Sequence, residues 1–157
     1  LRSARVVHKI NQGSKNLKFC EWTTKQELEV YRGTLDRLWV EQHMRHQSPC
    51  PPLSLLADLL SDGLISFIVA FSEKGFVGFI TVTQSKIIAH TNWVLINRQT
   101  AGNYASVSLW YQAVRKSFEM GCSILSMGST SSISLARFKE SIGGQRAISN
   151  SVLIKDQ

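Results

Sequence analysis

Residues 132–144, "SISLARFKESIGG", read as a short basic helix closed by paired glycines. The helix follows a run of small residues, "GSTSS", at 128–132. Arg137 and Lys139 are two positions apart, so they stand about 200° apart around a helix and cannot share a face. Phe138 points in a third direction, suited to anchoring the helix in a core. One cation is then left for a cleft and the other for solvent. Upstream, "CSILSMGS" (122–129) has the length and apolar content of a strand, and downstream "RAISNSVLIK" (146–155) reads as a last strand.

Working outward, "RQTAGN" (98–103) introduces the clearest helix. Tyr104, Val107, Tyr111, Val114 and Phe118 recur at steps of three and four, Trp110 widens the stripe, and Gly121 closes it. Before that lie "LISFIVAF" (64–71), the four-residue loop "SEKG" (72–75) and "FVGFITVTQ" (76–84), which predict a hairpin with a bulge at Gly78. "SKIIAHTNWVLIN" (85–97) adds one or two strands to this antiparallel meander. "LSLLADLLSDG" (53–63) predicts a helix ended by Gly63, preceded by an extended turn at "SPCPP" (48–52). Leu28, Tyr31, Leu35, Leu38 and Trp39 predict one longer helix that fades near Gln47. Thr23 or Thr24 is its expected N-cap, with Glu27 three residues beyond Thr24 as in a capping box. "LKFCEW" (17–22) reads as a strand, "QGSKN" (12–16) as a turn, and "LRSARVVHKIN" (1–11) as a basic helix or arm. Helices, a meander, a long helix, a strand, a short helix and a strand make an α+β fold with a mostly antiparallel sheet.

The 157 residues fit one domain, 1–157, either by itself or as the C-terminal part of a longer chain. No apolar run approaches the ~18 residues of a membrane span, and no signal-peptide pattern is present, so a cytoplasmic protein is expected. Cys20, Cys50 and Cys122 are odd in number and widely spaced, which suits a reducing compartment. His43 and His46 lack a carboxylate or thiol at ligand spacing, so no metal is expected. The net charge is +7, and from Lys74 onward nine Lys and Arg face only three acids. A basic half favours an anionic partner, such as the phosphates of a cofactor, of tRNA or of other nucleic acid.

The familiar catalytic and phosphate-binding motifs are missing from the sequence. Two features carry the chemistry instead. In "NRQTAGNYAS" (97–106), Arg98, Gly102 and Asn103 precede the long helix. Free N–H groups at a helix start form an anion site, Gly102 permits close approach, and Asn103 is a candidate cap. The second feature is the 128–144 segment itself, with Gly128, Ser129 and Lys139.

That second segment, Leu125-Ser126-Met127-Gly128-Ser129-Thr130 and then Arg137-Phe138-Lys139-Glu140-Ser141-Ile142-Gly143, resembles the C-terminal signature of the FemAB-like and BioF2-like acyltransferases, which have the GNAT fold. Their usual form is F-D-F-G-R-S, a gap, then R-F-K-x-x-W-G. The resemblance extends backwards through "SLWYQAVRKSFEMG" (108–121), "LDRLWVEQH" (35–43) and the basic opening helix. The family's Asp is Ser126 here, its Arg is Ser129 and its aromatic is Ile142. The pyrophosphate loop R/Q-x-x-G-x-G/A is echoed by Arg98, Gly102 and Ala105 with spacing off by one.

The resemblance implies a GNAT-like fold and transfer of an acyl group from acetyl-CoA or another acyl-CoA to an amine of a small molecule or peptide. Two strands, near "HTNWVLI" (90–96) and "SILSMG" (123–128), would splay around the donor. Gly102 and Asn103 would meet its phosphates, with Lys139 near that end. Glu140 and His90 are candidate bases, and Tyr111 or Tyr104 candidate acids for the leaving thiolate. An aminoacyl-tRNA-dependent FemAB-type transferase and a degenerate, non-catalytic GNAT-like binding module remain as alternatives.

Overall fold

A computed structural model describes residues 4–46, 51–128 and 132–147. In chain order its elements are α1 (Ala4–Asn16), β1 (Lys18–Trp22), α2 (Lys25–Val30), α3 (Arg32–His46), α4 (Leu53–Ser61), β2 (Ser66–Ser72), β3 (Gly75–Ser85), β4 (Ile88–His90), β5 (Val94–Ile96), α5 (Ala105–Glu119), β6 (Ile124–Ser126) and α6 (Ile133–Ser141). The sheet runs β1-β2-β3-β4-β6, with β5 also paired to β3. Every pairing is antiparallel except β4 with β6, which is parallel. The fold is α+β, as the order of elements predicts. No described helix is long and apolar enough to cross a membrane.

Both faces of the sheet are covered, which is why "LISFIVAF" is apolar at every position but Ser66. Phe67 and Val69 of β2 face a core built with Leu28, Leu35, Leu38, Leu56 and Leu60 from α2–α4. Ile68 and Ala70 face the opposite core with Leu109, Trp110 and Ala113 of α5. At Gly78 this alternation resets. The register passes from Ala70↔Gly78 to Phe71↔Phe76, so β3 carries one extra residue there. Val77 therefore faces the α5 core while Phe79, two residues on, faces the other. A Cβ on Gly78 would lie 2.2 Å from the Leu95 carbonyl oxygen, so only glycine lets β5 seat against β3.

Four local readings change. The predicted turn at 12–16 is the end of α1. Gly13 lies against Ser108 of α5, where a Cβ would meet the Ser108 hydroxyl at 1.8 Å, so its small size serves helix contact rather than a turn. The single helix expected over Leu28–Trp39 breaks at Tyr31, whose N–H turns back to the Leu28 carbonyl. The Tyr31 ring stacks on Trp22 at 5.3 Å, and the break allows that contact without losing the apolar face. The Thr24–Glu27 capping box forms as expected. On α5 the buried face is Ala105, Val107, Ser108, Leu109, Trp110, Ala113 and Ser117, and Phe118 is 67% exposed. The small residues face inward because α5 is covered by the sheet below and by α1 alongside. Asn103 does not cap α5, since the N-cap is Tyr104 and no side chain caps it. The strand expected over 146–155 lies outside the described residues from Ile148 on, and Arg146 and Ala147 carry no regular structure.

Candidate functional site: a fork in the sheet

β4 and β5 are one strand in two pieces. Opposite β3, His90 pairs with Thr83 but Val94 pairs with Ile80, so one extra residue sits between them, around Thr91–Trp93. The bulge sends the halves to different partners. β4 is paired on both edges, to β3 and β6, whereas among the described residues β5 pairs only with β3. Among the described residues the last link between the arms is at Ser126, whose carbonyl accepts from the Thr91 N–H at 3.0 Å and the Thr91 hydroxyl at 3.1 Å. Beyond it the arms part. One is β5; the other is Met127–Gly128. Gly128 has φ +70, and a Cβ on it would lie 3.2 Å from the Thr91 carbonyl oxygen.

The open edge of β5 follows from hydrogen-bond phase. Thr81 N–H donates to the Trp93 carbonyl and Asn97 N–H donates to the Val77 carbonyl, so residues 93, 95 and 97 turn their backbone groups to β3. Those of Val94 and Ile96 therefore face the fork. The Val94 carbonyl accepts from Gln42 Nε2 at 3.1 Å, which pins the end of α3 to this arm.

β5 runs into the loop before α5, and the buried Asn97 organises that loop. Its Nδ2 donates to the Phe76 carbonyl at 3.1 Å and its Oδ1 accepts from Gln99 N–H at 3.2 Å. Its own carbonyl accepts from the Thr100 and Ala101 N–H groups, at 3.2 and 2.9 Å. The Thr100 hydroxyl reaches the Phe76 carbonyl at 2.6 Å. Arg98 and Asn103 are exposed at the rim. Gly102 is half-buried under the Tyr104 ring, which a Cβ would meet at 2.5 Å. With no side chain capping α5, its first-turn N–H groups and its positive dipole end face this loop.

The other expected residues divide. His90 stands in register with Ser126 on the last β4–β6 pair, immediately before the fork. Ala89 belongs to the α5-side core, so His90 points to the opposite face, toward α2–α4. Tyr111 lies elsewhere, in a cavity of about 440 Å³ between α1, α5, β6 and the end of α6, lined with Val6, Ile10, Val107, Leu125 and Met127. Glu140 is exposed and ion-paired with Arg146. Ser129 lies outside the described residues. Of the two cations on α6, Arg137 is exposed and Lys139 is buried, with 9% of its surface accessible. Lys139 Nζ donates to the Gly128 carbonyl at 3.0 Å. Burial holds its pKa below the usual lysine range. Phe138 is half-buried against the α5-side core. Among the described residues no cluster of His, Cys, Asp and Glu is arranged for a metal.

Asn97, Gln42 and Thr91 were missed in the sequence. The position of Asn97 before "RQTAG" and the apolar run ahead of it were the only signals, and neither reveals that its amide would be buried against β3.

The fold as a whole is shared with solved structures. The aminoglycoside N-acetyltransferase AAC(6')-Iy, solved with a CoA-containing bisubstrate analogue, superposes with a TM-score of 0.66 at 14% identity, over 90% of this chain and 98% of that one. The chain has the GNAT fold. An aminoglycoside acetyltransferase from an uncultured soil metagenomic sample matches with a TM-score of 0.64 at 16% identity, over 91% of this chain and 99% of that one. The ribosomal-protein-alanine N-acetyltransferase of Brucella melitensis biovar Abortus 2308 matches with a TM-score of 0.66 at 14% identity, over 89% and 99%. Likeness at such identities is a likeness of GNAT fold. No protein-family profile matches the sequence, and no curated protein is significantly similar to it.

Proposed function

We propose that this protein is an acyl-CoA-dependent N-acyltransferase, of the FemAB-like and BioF2-like kind that its Arg137-Phe138-Lys139 segment resembles. The observation that carries the proposal is the fork: an open β5 edge leading from the Thr91–Ser126 vertex to an uncapped helix start. The GNAT-fold enzymes it superposes on include one solved with CoA itself.

An acyl-CoA fits these residues by its chemistry. Its amide-bearing arm matches the Val94 N–H and the Ile96 backbone groups that face the fork. Its pyrophosphate matches the Gly102 loop and the start of α5, with Arg98 and Asn103 at the rim. Gly128 leaves the facing arm slim. The thioester then lies toward the vertex, where an acceptor amine approaches from the α3 side past His90. His90 is the group best positioned to take the acceptor's proton, directly or through water. Most of the catalysis is positioning an amine against an activated carbonyl, with fork N–H groups facing the developing oxyanion. The reading includes a single domain working in the cytoplasm.

Calorimetric titration with CoA, acetyl-CoA and longer acyl-CoAs tests it. The expected result is binding by wild type, weakened at least tenfold in Gly102→Val, together with thiol release in the presence of an amine. No binding of any CoA at millimolar ligand overturns the proposal. Salt-dependent tRNA binding would then favour the aminoacyl-tRNA reading, and its absence a non-catalytic module.

A further inference from the structure

Lys139 is the one buried cation on α6, and its position along the fork is informative. The donor's phosphates and its thioester must lie at opposite ends of the β5 arm, since the arm separates the vertex from the α5 loop. From Thr91 to Asn97 the chain advances by roughly 20 Å at strand rise. Lys139 Nζ is fixed to the Gly128 carbonyl, and Gly128 is pressed against Thr91. The amine therefore belongs to the vertex end, away from the phosphates.

We propose that Lys139 is the catalytic acid that protonates the departing CoA thiolate, an inference that rests on the acyl-CoA reading above. The acceptor nitrogen attacks the thioester carbonyl and a C–N bond forms. The C–S bond breaks, and the sulfur takes a proton from Lys139 Nζ. The neutral lysine is recharged, through water, by the proton that the acceptor nitrogen gives up. Acyl-CoA and amine thus become amide and free thiol, with Lys139 returned to its starting state.

The surroundings suit this role. The Gly128 carbonyl keeps one N–H of the ammonium oriented, and burial lowers its pKa, which makes it a readier proton donor than an exposed lysine. Glu140 pairs with Arg146, Arg137 is exposed, His90 faces the α3 side, and Tyr111 lines the cavity beside α5.

Lys139→Met and Lys139→Arg separate this role from the others. Arginine retains the charge and can keep a hydrogen bond to Gly128, but it does not release its proton. For both variants acetyl-CoA Kd by calorimetry should stay within about threefold of wild type, while kcat falls at least about 100-fold. The wild-type rate should decline with rising pH at a pKa below the lysine value of about 10.4. A Lys139→Arg enzyme turning over at the wild-type rate overturns the proposal, as does a tenfold rise in Kd with kcat unchanged, which would make Lys139 a donor ligand. If Lys139→Met does not fold, the arginine variant and the wild-type pH profile decide. Loss of acyl-CoA binding by wild type itself overturns the parent reading and this one with it. Normal wild-type binding with an unaffected arginine variant overturns this one alone.

Discussion

Removing the Asn97 amide should reveal a coupling centred on the carbonyl of Phe76. That carbonyl is buried and accepts from two side chains, Asn97 Nδ2 at 3.1 Å and the Thr100 hydroxyl at 2.6 Å. Asn97→Ala deletes the first bond and the one from Gln99 N–H, at about 1 kcal/mol each. Gln99 is exposed, so water replaces its partner, and the Phe76 carbonyl keeps Thr100. The net loss should be about 1.5–2 kcal/mol, or roughly 3–8 °C in Tm for a chain of this length. Thr100→Val alone should cost about 1 kcal/mol, because Asn97 still serves the carbonyl. Only the double variant orphans a buried acceptor, which adds about 1–3 kcal/mol. Urea unfolding of all four proteins should therefore give a double variant less stable than the sum of the singles by at least about 1 kcal/mol. Additivity within about 0.5 kcal/mol, the behaviour of independent sites, would refute the shared-acceptor argument.

Gly78→Ala places a Cβ 2.2 Å from the Leu95 carbonyl oxygen, with backbone on both sides and no flexible atom to yield. It should cost at least about 3 kcal/mol, loosen β5 as read by faster amide exchange at Leu95, and weaken the acyl-CoA binding proposed above. Gly13→Ala should lower Tm by forcing α1 away from Ser108, and Ser108→Gly should restore part of the loss, less about 1 kcal/mol for glycine within a helix. Thr24→Ala should cost about 1 kcal/mol at neutral pH. The Thr23 and Thr24 N–H groups and the Thr24 hydroxyl hold the Glu27 carboxyl below its usual range. That stabilisation is complete above the unfolded pKa of about 4.3 and is lost as pH falls through the lower folded value. The gap between Thr24→Ala and wild type in acid denaturation should narrow accordingly.

Local chemistry made much of the fold legible in the sequence. The capping box at Thr24, the hairpin over 66–85 with its bulge at Gly78, and the short helix 133–141 are each specified by residues within a few positions of one another. Strand alternation and helical periodicity are also local, so the α+β order of elements could be read directly. The chain further announced that Arg137 and Lys139 must face different surroundings, because two residues of helix separate them by geometry alone.

Tertiary structure decided the rest. Whether Gly13 ends a helix or packs inside one depends on Ser108, 95 positions away in the sequence. Which stripe of α5 is buried depends on α1 covering its flank, since both stripes satisfy the same period and small residues win where helices approach closely. The fork exists because β4 accepts β6 on its free edge and β5, shifted by one residue, does not. That Lys139 is buried at the fork's vertex follows from the same long-range pairing, which fixes where Gly128 turns. Patterns with a period can be read along a chain; a contact between distant segments depends on the closure of the whole sheet, which no short stretch of sequence encodes.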